Sequence, residues 1–333
     1  MRYDHKGRST DGFKGFWPGN PPADCPFPRD RQHDRVVFTG RYANYTNADT
    51  WYPSWASDGH LYSPWTDGYI LNDSPSTYQP FEDAHPHHAC NSLFFMGRNP
   101  ATAQAKIVGD DPMNLTIVDL QPRVDGLPWP DMTDGVAKFH GRYPCGSLVY
   151  NGVWYYGTYL LENWPDRHCG GGGGATPGPV ARFPLSRDFG KTWTASPCTP
   201  AKPLCPGNPR VAPVKFAAPH FVDFGKNMQH SPDGYAYLTA HGSLCPDAWN
   251  NWIQGDCIFL ARVKPSPETM NDLSAYEFFA GHDEKGEPIY TRYLGRAMPL
   301  LEWPGRLGCV TAPYNSALRK FILCATRGHS GGH

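Results

Sequence analysis

One unit recurs four times along this 333-residue chain: an apolar or aromatic run, a tight turn, and a second aromatic run. It reads DTWYPSWASDGHLYSPWTDG over residues 49–68 and CGSLVYNGVWYYGTYLLE over 145–162. It returns as APHFVDFGKNMQHSPDGYAYLTAHG over 218–242 and as LGCVTAPYNSALRKFILCATRG over 307–328. Asp-Gly and Asn-Gly between alternating apolar runs are strong hairpin signals. The turns fall near residues 58, 151, 233 and 315, about 93, 82 and 82 residues apart. Hairpins at a near-constant period, with further strand-like runs between them, predict a propeller. The expected fold is therefore all-β, a β-propeller of four-stranded antiparallel blades, about five in number. Further strands are predicted at 92–97, 115–120, 181–186 and 257–263, with one helical turn within 267–279. Residues 1–34 read as an irregular N-terminal arm and 35–333 as the propeller. The fourth hairpin ends near residue 328, so the last blade is expected to lack its outer strands.

Composition fits a turn-rich β protein and excludes other classes. Gly 35 and Pro 35 interrupt nearly every window long enough for a helix, which argues against a helical bundle. Aromatics reach 14% against 18% charged, the reverse of a disordered chain. A formal net charge of −1 and a pI near 6.9 leave no basic nucleic-acid footprint. No apolar run approaches 18 residues, so no membrane helix is expected. The opening MRYDHKGRSTDGFKGFWPGN has no apolar h-region, yet ten cysteines are present, with sequons at Asn44, Asn72 and Asn114. The even cysteine count points to an oxidising compartment, and the protein is expected to be secreted and disulfide-bearing. Cys198 with Cys205 and Cys245 with Cys257 close short Pro- or Gly-bearing loops and are the expected pairs. Cys309 and Cys324 face each other about the fourth turn, where a bridge between adjacent strands is strained.

The sharpest local motif is Ser186-Arg-Asp188-Phe-Gly190-Lys-Thr192-Trp193. Asp188 can accept from neighbouring backbone N–H groups, Gly190 permits positive φ, and Trp193 packs between blades. The pattern S-x-D-x-G-x-T-W resembles the Asp-box of sialidase-like propellers. That resemblance implies an outer-strand structural role, away from substrate. The segments ADTWYPSWASDGHLYSPWTDG, FAAPHFVDFGKNMQHSPDGYAYLTAHG and GCVTAPYNSALRKFILC resemble blades of sialidase-like and arabinanase-like glycosidase propellers. Over residues 35–328 the chain resembles secreted fungal and bacterial proteins catalogued as a domain of unknown function. The resemblance implies a propeller with carbohydrate-related activity. In arabinanase-like propellers an Ala-Asp-Pro opens the first inner strand, and its Asp is the general base. Here Ala48-Asp49 matches, and Thr50 stands in place of Pro.

Hairpin topology gives an independent grouping. If each hairpin starts and returns on one face, the residues before its first strand and after its second share a rim. That rule gathers Asp49, Asp67, Glu162, His220, His241 and Arg327. Closed β structures favour pockets at their mouths. Carboxylates, histidines and an arginine suffice for acid–base work on a sugar. Asp49, Asp67, His220 and His241 are therefore candidate catalytic groups. Glu302, in PLLEWPG, joins them because burial among apolar neighbours would raise its pKa as a general acid requires. Trp51 and Trp65 are candidate sugar-stacking residues, since a sugar's C–H face suits an aromatic ring; the remaining tryptophans, Trp55 among them, read mostly as blade packing. Arg98, Tyr159, Glu162 and Arg327 complete the candidate substrate-binding set.

The expected activity is glycoside hydrolysis of a plant, algal or microbial polysaccharide or oligosaccharide. A polysaccharide lyase would instead place His220, His241, Tyr159 and Arg98 around a uronate. A noncatalytic glycan-binding propeller is the third reading. A sialidase needs three arginines around one carboxylate, and no context ties three together here. His85, His87, His88 and Cys90 match no standard zinc spacing, and Gly170–Gly174 lacks a phosphate-loop ending. No cofactor or metal is expected. The expected partner is a carbohydrate substrate, with no nucleic acid, no membrane and a monomeric chain.

Overall fold

The computed structural model of the protein describes residues 8–9, 12–18, 20–33, 35–70, 88–89, 102–120, 143–163, 175–199, 202–205, 216–242 and 255–326. Within them every regular element is a strand or a short 3-10 turn. All four sequence repeats fold as antiparallel pairs. In the first, Ser54–Trp55 turns back onto Leu61–Ile70, which also pairs with Thr46–Asp49 and Ala103–Val108. The second joins Leu148–Tyr150 to Val153–Tyr155 through Asn151 and Gly152, with φ of 49° and 75°. Both are positive, as a two-residue type I′ hairpin requires. In the third, Ala217–Phe221 pairs with Ala236–Gly242, and Cys257–Val263, Glu277–His282 and Pro288–Thr291 extend the meander. The fourth nests Tyr314–Asn315 with Lys320–Phe321 inside Gly308–Thr311 with Cys324–Thr326. Of the further predicted runs, 115–120, 181–186 and 257–263 carry strands, and the helical turn is Leu273–Ala275. The run 92–97 lies outside the described residues.

Separate four-stranded blades are not what the strand pairing gives. The described strands form one six-stranded, one nine-stranded and one three-stranded sheet plus four two-stranded pairs. A single residue pair, Pro179 with Ala217, fuses the second and third units into the largest sheet. The expected second hairpin also divides in two after Tyr155. Val153–Tyr155 stays with Leu148–Tyr150, whereas Thr158–Asn163 pairs with Tyr143–Pro144 and Ala175–Arg182. The break is at Gly157, whose backbone presses on the Gly146 carbonyl and the Cys145 Sγ and leaves no room for a side chain. Gly146 is equally constrained: a Cβ there would lie 2.7 Å from the Pro219 carbonyl oxygen.

Aromatic side chains fill the gaps between units, which accounts for their abundance. Tyr62, Trp154 and Tyr156 pack between the first and second, with Trp193 against them. Tyr155, Tyr159, Phe183, Phe216 and Phe278 belong to the large core shared by the second and third. Polar contacts cross the same gaps. Val149 N–H donates to Ser54 Oγ at 2.8 Å, Gly146 N–H to the Pro219 carbonyl at 2.7 Å, and Tyr314 N–H to the Asp223 carbonyl at 2.8 Å. Among the described residues no strand pair joins the fourth hairpin to the first.

The N-terminal arm is only partly irregular. Lys14–Pro18 pairs with Arg35–Thr39, and the loop between them reaches Arg306 and the fourth hairpin. Arg306 donates to Asp24 Oδ2 at 2.9 Å, and Lys320 lies 3.4 Å from Asp30 Oδ2.

The Ser186–Trp193 segment forms a tight, polar-bonded turn. Asp188 Oδ1 accepts from Ser186 O–H at 2.7 Å and Thr192 N–H at 2.8 Å, and its Oδ2 accepts from Thr192 O–H at 2.6 Å. These bonds, the Thr192 hydroxyl foremost, hold the carboxyl down at about 2. Gly190 has φ of 91°, and its carbonyl accepts from Gln104 Nε2 at 2.9 Å, tying the turn to the first sheet.

The expected Cys198–Cys205 bridge is not formed; both are free thiols, and burial raises both pKa values. Cys257 and Cys324 are also free thiols, and Cys245 lies outside the described residues.

Candidate functional site

A cavity of about 330 Å³ opens where all four hairpin units meet. The first unit contributes Trp51–Trp55, the second Gly146–Val149, the third His220–Gly225 with Met228, and the fourth Thr311 and Pro313. The cavity follows the first strand of each hairpin toward its turn. Glycine at 146 and the cross-unit hydrogen bonds hold these strands close enough to form one wall.

The backbone around this cavity is strained. Thr50, Phe216, Ala218, Asn227 and Met228 all have φ between 38° and 58°. Non-glycine residues avoid this left-handed region, and Thr50 is β-branched besides. Such strain concentrates at functional sites, where the surrounding fold over-determines it. At Thr50 it also explains a departure from the Ala-Asp-Pro pattern. Proline is locked near φ −65°, so it cannot occupy a position held at 58°.

Two titratable groups line the cavity with shifted acidities. Burial pulls the His220 imidazole down to about 4, so it is neutral at physiological pH. Its ring meets Tyr52 edge-on with centroids 4.7 Å apart, and its buried Nε2 has no hydrogen-bond partner. An unsatisfied buried nitrogen is costly and rare. Asp223 is solvent-exposed at the mouth. Desolvation by the surrounding protein nevertheless raises its carboxyl above the usual range, outweighing the Gly225 N–H that donates to Oδ1 at 2.7 Å. Aromatic walls flank both groups. Trp55 is 39% exposed, and Trp51 is half-buried with its Nε1–H donating to the Ala48 carbonyl at 3.1 Å.

Of the residues expected from the sequence, His220 and Trp51 line this cavity. Asp49 is placed by its backbone opposite Thr66, beside Asp67 on the paired strand and two residues before Trp51; the side chains of Asp49 and Asp67 are not described. Glu162 is paired opposite Thr176 in the second unit, its side chain likewise not described. Arg98 and Arg327 lie outside the described residues, as do His85, His87 and Cys90.

Four expectations are corrected. His241 is 1% exposed inside the third sheet, opposite Ile258, and does not reach the cavity. Trp65 is fully buried under Trp51, ring centroids 5.8 Å apart and nearly parallel, so it supports a platform rather than offering a face to sugar. Tyr159 is fully buried against Tyr143 in the core and cannot touch substrate or abstract a proton from it. Glu302 is exposed on a short strand beside Cys257, not buried among its apolar sequence neighbours. Tyr52, Trp55 and Asp223 also line the cavity and were not singled out as site residues from the sequence. The rim rule looked at hairpin entrances, whereas the cavity runs toward the turns. Asp223 had one available signal, a carboxylate inside the apolar run HFVDF.

No protein-family model matches the chain, and no curated protein matches it. Among solved structures, the chain is similar to the crystal structure of a GH43_1 enzyme from Xanthomonas citri. The identity is 15% and the TM-score 0.33, covering 74% of this chain and 59% of that one. It is also similar to the RS223 β-xylosidase, with 14% identity and a TM-score of 0.34, covering 74% of this chain and 62% of that one. The chain thus spans about six-tenths of the length of these structures. Likenesses at these TM-scores leave fold and activity to the chain's own geometry.

Proposed function

We propose that the protein is a carbohydrate-active enzyme, a glycoside hydrolase that cleaves a polysaccharide or oligosaccharide in the cavity between the four hairpin units. The units are read as radial blades of a propeller spanning residues 35–333, and the protein as a secreted monomer. The observation that carries this reading is the convergence of aromatic walls, a carboxyl of raised pKa and a neutral imidazole in a cavity to which all four repeats contribute.

Hydrolysis of a glycosidic bond needs a protonated carboxyl for the leaving oxygen and a carboxylate for water or the anomeric carbon. Asp223 supplies the first role, because its raised pKa retains a proton to higher pH than an ordinary aspartate. Asp49 is assigned the second, on its match to the arabinanase-like strand opening and its place two residues before Trp51. Trp55 offers an exposed ring to a sugar face. Neutral His220 can exchange a hydrogen bond with a sugar hydroxyl without carrying charge into the cavity.

A lyase reading is favoured by one contact, the His220 ring against Tyr52, since a neutral imidazole near a phenol suits proton abstraction. Incubating the full chain with a polysaccharide panel separates the readings. Hydrolysis releases reducing ends with no ultraviolet signal of an unsaturated uronate; a lyase gives both. Saturable binding without any new reducing end would replace both with a glycan-binding module.

A further inference from the structure

Among the described residues one lysine or arginine is buried: Arg182, 9% exposed at the end of the strand Ala175–Arg182. The less buried arginines have their counter-charges. Arg262 has Glu277 at 2.8 Å and Asp233 at 3.6 Å, and Arg306 has Asp24 at 2.9 Å. Arg182 makes no ion pair and no side-chain hydrogen bond among the described residues, and its Nε is fully enclosed without an acceptor. Arginine does not escape such a position by losing its proton. Buried charges are therefore normally paired and hydrogen-bonded.

The group directly across the ladder is in the same condition. Thr158 is the antiparallel partner of Arg182, so the two side chains share a face. Thr158 is 1% exposed, and its Oγ1 is also buried without a partner. The register shifts just after this pair, a bulge of the kind that re-aims side chains. Two neighbouring donors, one of them charged, thus share a buried face with no acceptor for either. No nearby group supplies the missing charge. Cys198 acts electrostatically on Arg182, but burial raises its pKa and keeps it a thiol, with Sγ 3.5 Å from the Asn271 carbonyl oxygen. Asp272 acts on Cys198 and not on Arg182, and its Oδ1 accepts from Ser274 N–H at 3.0 Å and O–H at 2.7 Å. Water would satisfy the donors and leave the charge uncompensated.

We propose that Arg182 and Thr158 form a binding site for a small monovalent anion, of the size of chloride or formate. The guanidinium donates from Nε and the hydroxyl from Oγ1, and the anion cancels the buried charge. The enclosure of both atoms limits the ion to a small one. The site also has a structural consequence. Phe183, the next residue, donates its N–H to Asn271 Oδ1 at 2.8 Å, and its carbonyl accepts from Asn271 Nδ2 at 2.8 Å. Asn271 follows the strand Cys257–Val263 of the third unit, so an anion on Arg182 fixes the joint between the second and third units. Neither Arg182 nor Thr158 lines the four-unit cavity, and the proposal does not depend on the cleavage chemistry.

The test melts the full chain in sodium chloride, in sodium formate and in sodium gluconate, a bulky monoanion, at matched ionic strength. Chloride or formate should raise the melting temperature by about 2 °C for each tenfold rise above its Kd, and gluconate should not. The chloride-35 resonance should broaden with the protein and sharpen again on titration with formate. Arg182→Met should abolish both responses and melt no lower than the parent in gluconate, because an unpaired buried charge is gone. Thr158→Val keeps the shape and removes the hydroxyl, and it should weaken chloride about tenfold. That second variant keeps the test decisive if Arg182→Met fails to fold. Equal melting in all three salts would overturn the proposal and leave water on the guanidinium. An unchanged chloride response in Arg182→Met, or an unchanged chloride Kd in Thr158→Val, would overturn it as well.

Discussion

In the Ser186–Trp193 turn, Ser186, Asp188 and Thr192 satisfy one another through a closed set of hydrogen bonds. In the four-unit cavity, His220 Nε2 is buried with no partner, and five neighbouring residues hold left-handed backbone. The turn is the most conspicuous motif in the sequence, and it is spent on structure. The turn also holds a left-handed residue, Phe189 at φ 57°, and a buried Trp193 Nε1 without a partner. What sets the cavity apart is that its unpartnered nitrogen belongs to a titratable ring lining a concave space shared by all four units. The contrast yields a simple expectation: substitutions in the turn should cost stability and spare chemistry, and substitutions in the cavity should do the reverse.

The largest expected effect is catalytic. Asp223→Asn removes the proposed proton donor and should lower the cleavage rate by about 10²–10⁴-fold, the usual span for general acid catalysis. Thermal melting of that variant should stay close to the parent value, because Asp223 is exposed and Asn keeps an oxygen for the Gly225 N–H. Next in size is Trp154→Ala. Trp154 is fully buried between the first and second units, against Tyr62, Tyr156 and Trp193. Truncating it should cost about 3–5 kcal/mol in denaturant unfolding. Asp188→Ala should cost less, about 1 kcal/mol, because the Thr192 donors it leaves behind are reached by water. Its cleavage rate per folded molecule should match the parent's.

The smallest effect is a pH dependence. The folded His220 titrates near 4 and the unfolded side chain near 6.5. Between those values the unfolded state binds the extra proton, so His220 makes stability fall as pH drops from about 6.5 to 4. The slope from this one group is at most about 1.4 kcal/mol per pH unit. His220→Phe should remove that component of the slope when urea midpoints are compared across the window. An unchanged slope in the variant would move the unsatisfied nitrogen out of the account.

Much of the fold was legible because turn chemistry is local. Asn151-Gly152 and the residues around Asp58 and Asp233 specify reversals whatever lies around them, and each forms a hairpin or its loop. The division at Gly157 was not legible, because the hairpin register already sets Gly146 opposite Gly157 and only the three-dimensional approach of that backbone to the Gly146 carbonyl and Cys145 shows that the pairing breaks there. Of the expected site residues, His220 and Trp51 line the four-unit cavity. Tyr159, Trp65 and His241 failed because a polar or aromatic residue at a strand end has the same local signature whether it faces a cavity or the core. Glu302 failed in the opposite sense, since apolar neighbours in sequence did not bury it. Asp223 and Trp55 lay on the turn side of their strands, where the rim rule did not look.

The most direct measurement compares Asp223→Asn with Asp188→Asn for release of reducing ends from the polysaccharide the parent cleaves, alongside their melting temperatures. The account predicts that Asp223→Asn loses cleavage at an undiminished melting temperature, while Asp188→Asn melts lower and cleaves at the parent rate. Full cleavage by Asp223→Asn would contradict it and place the chemistry elsewhere.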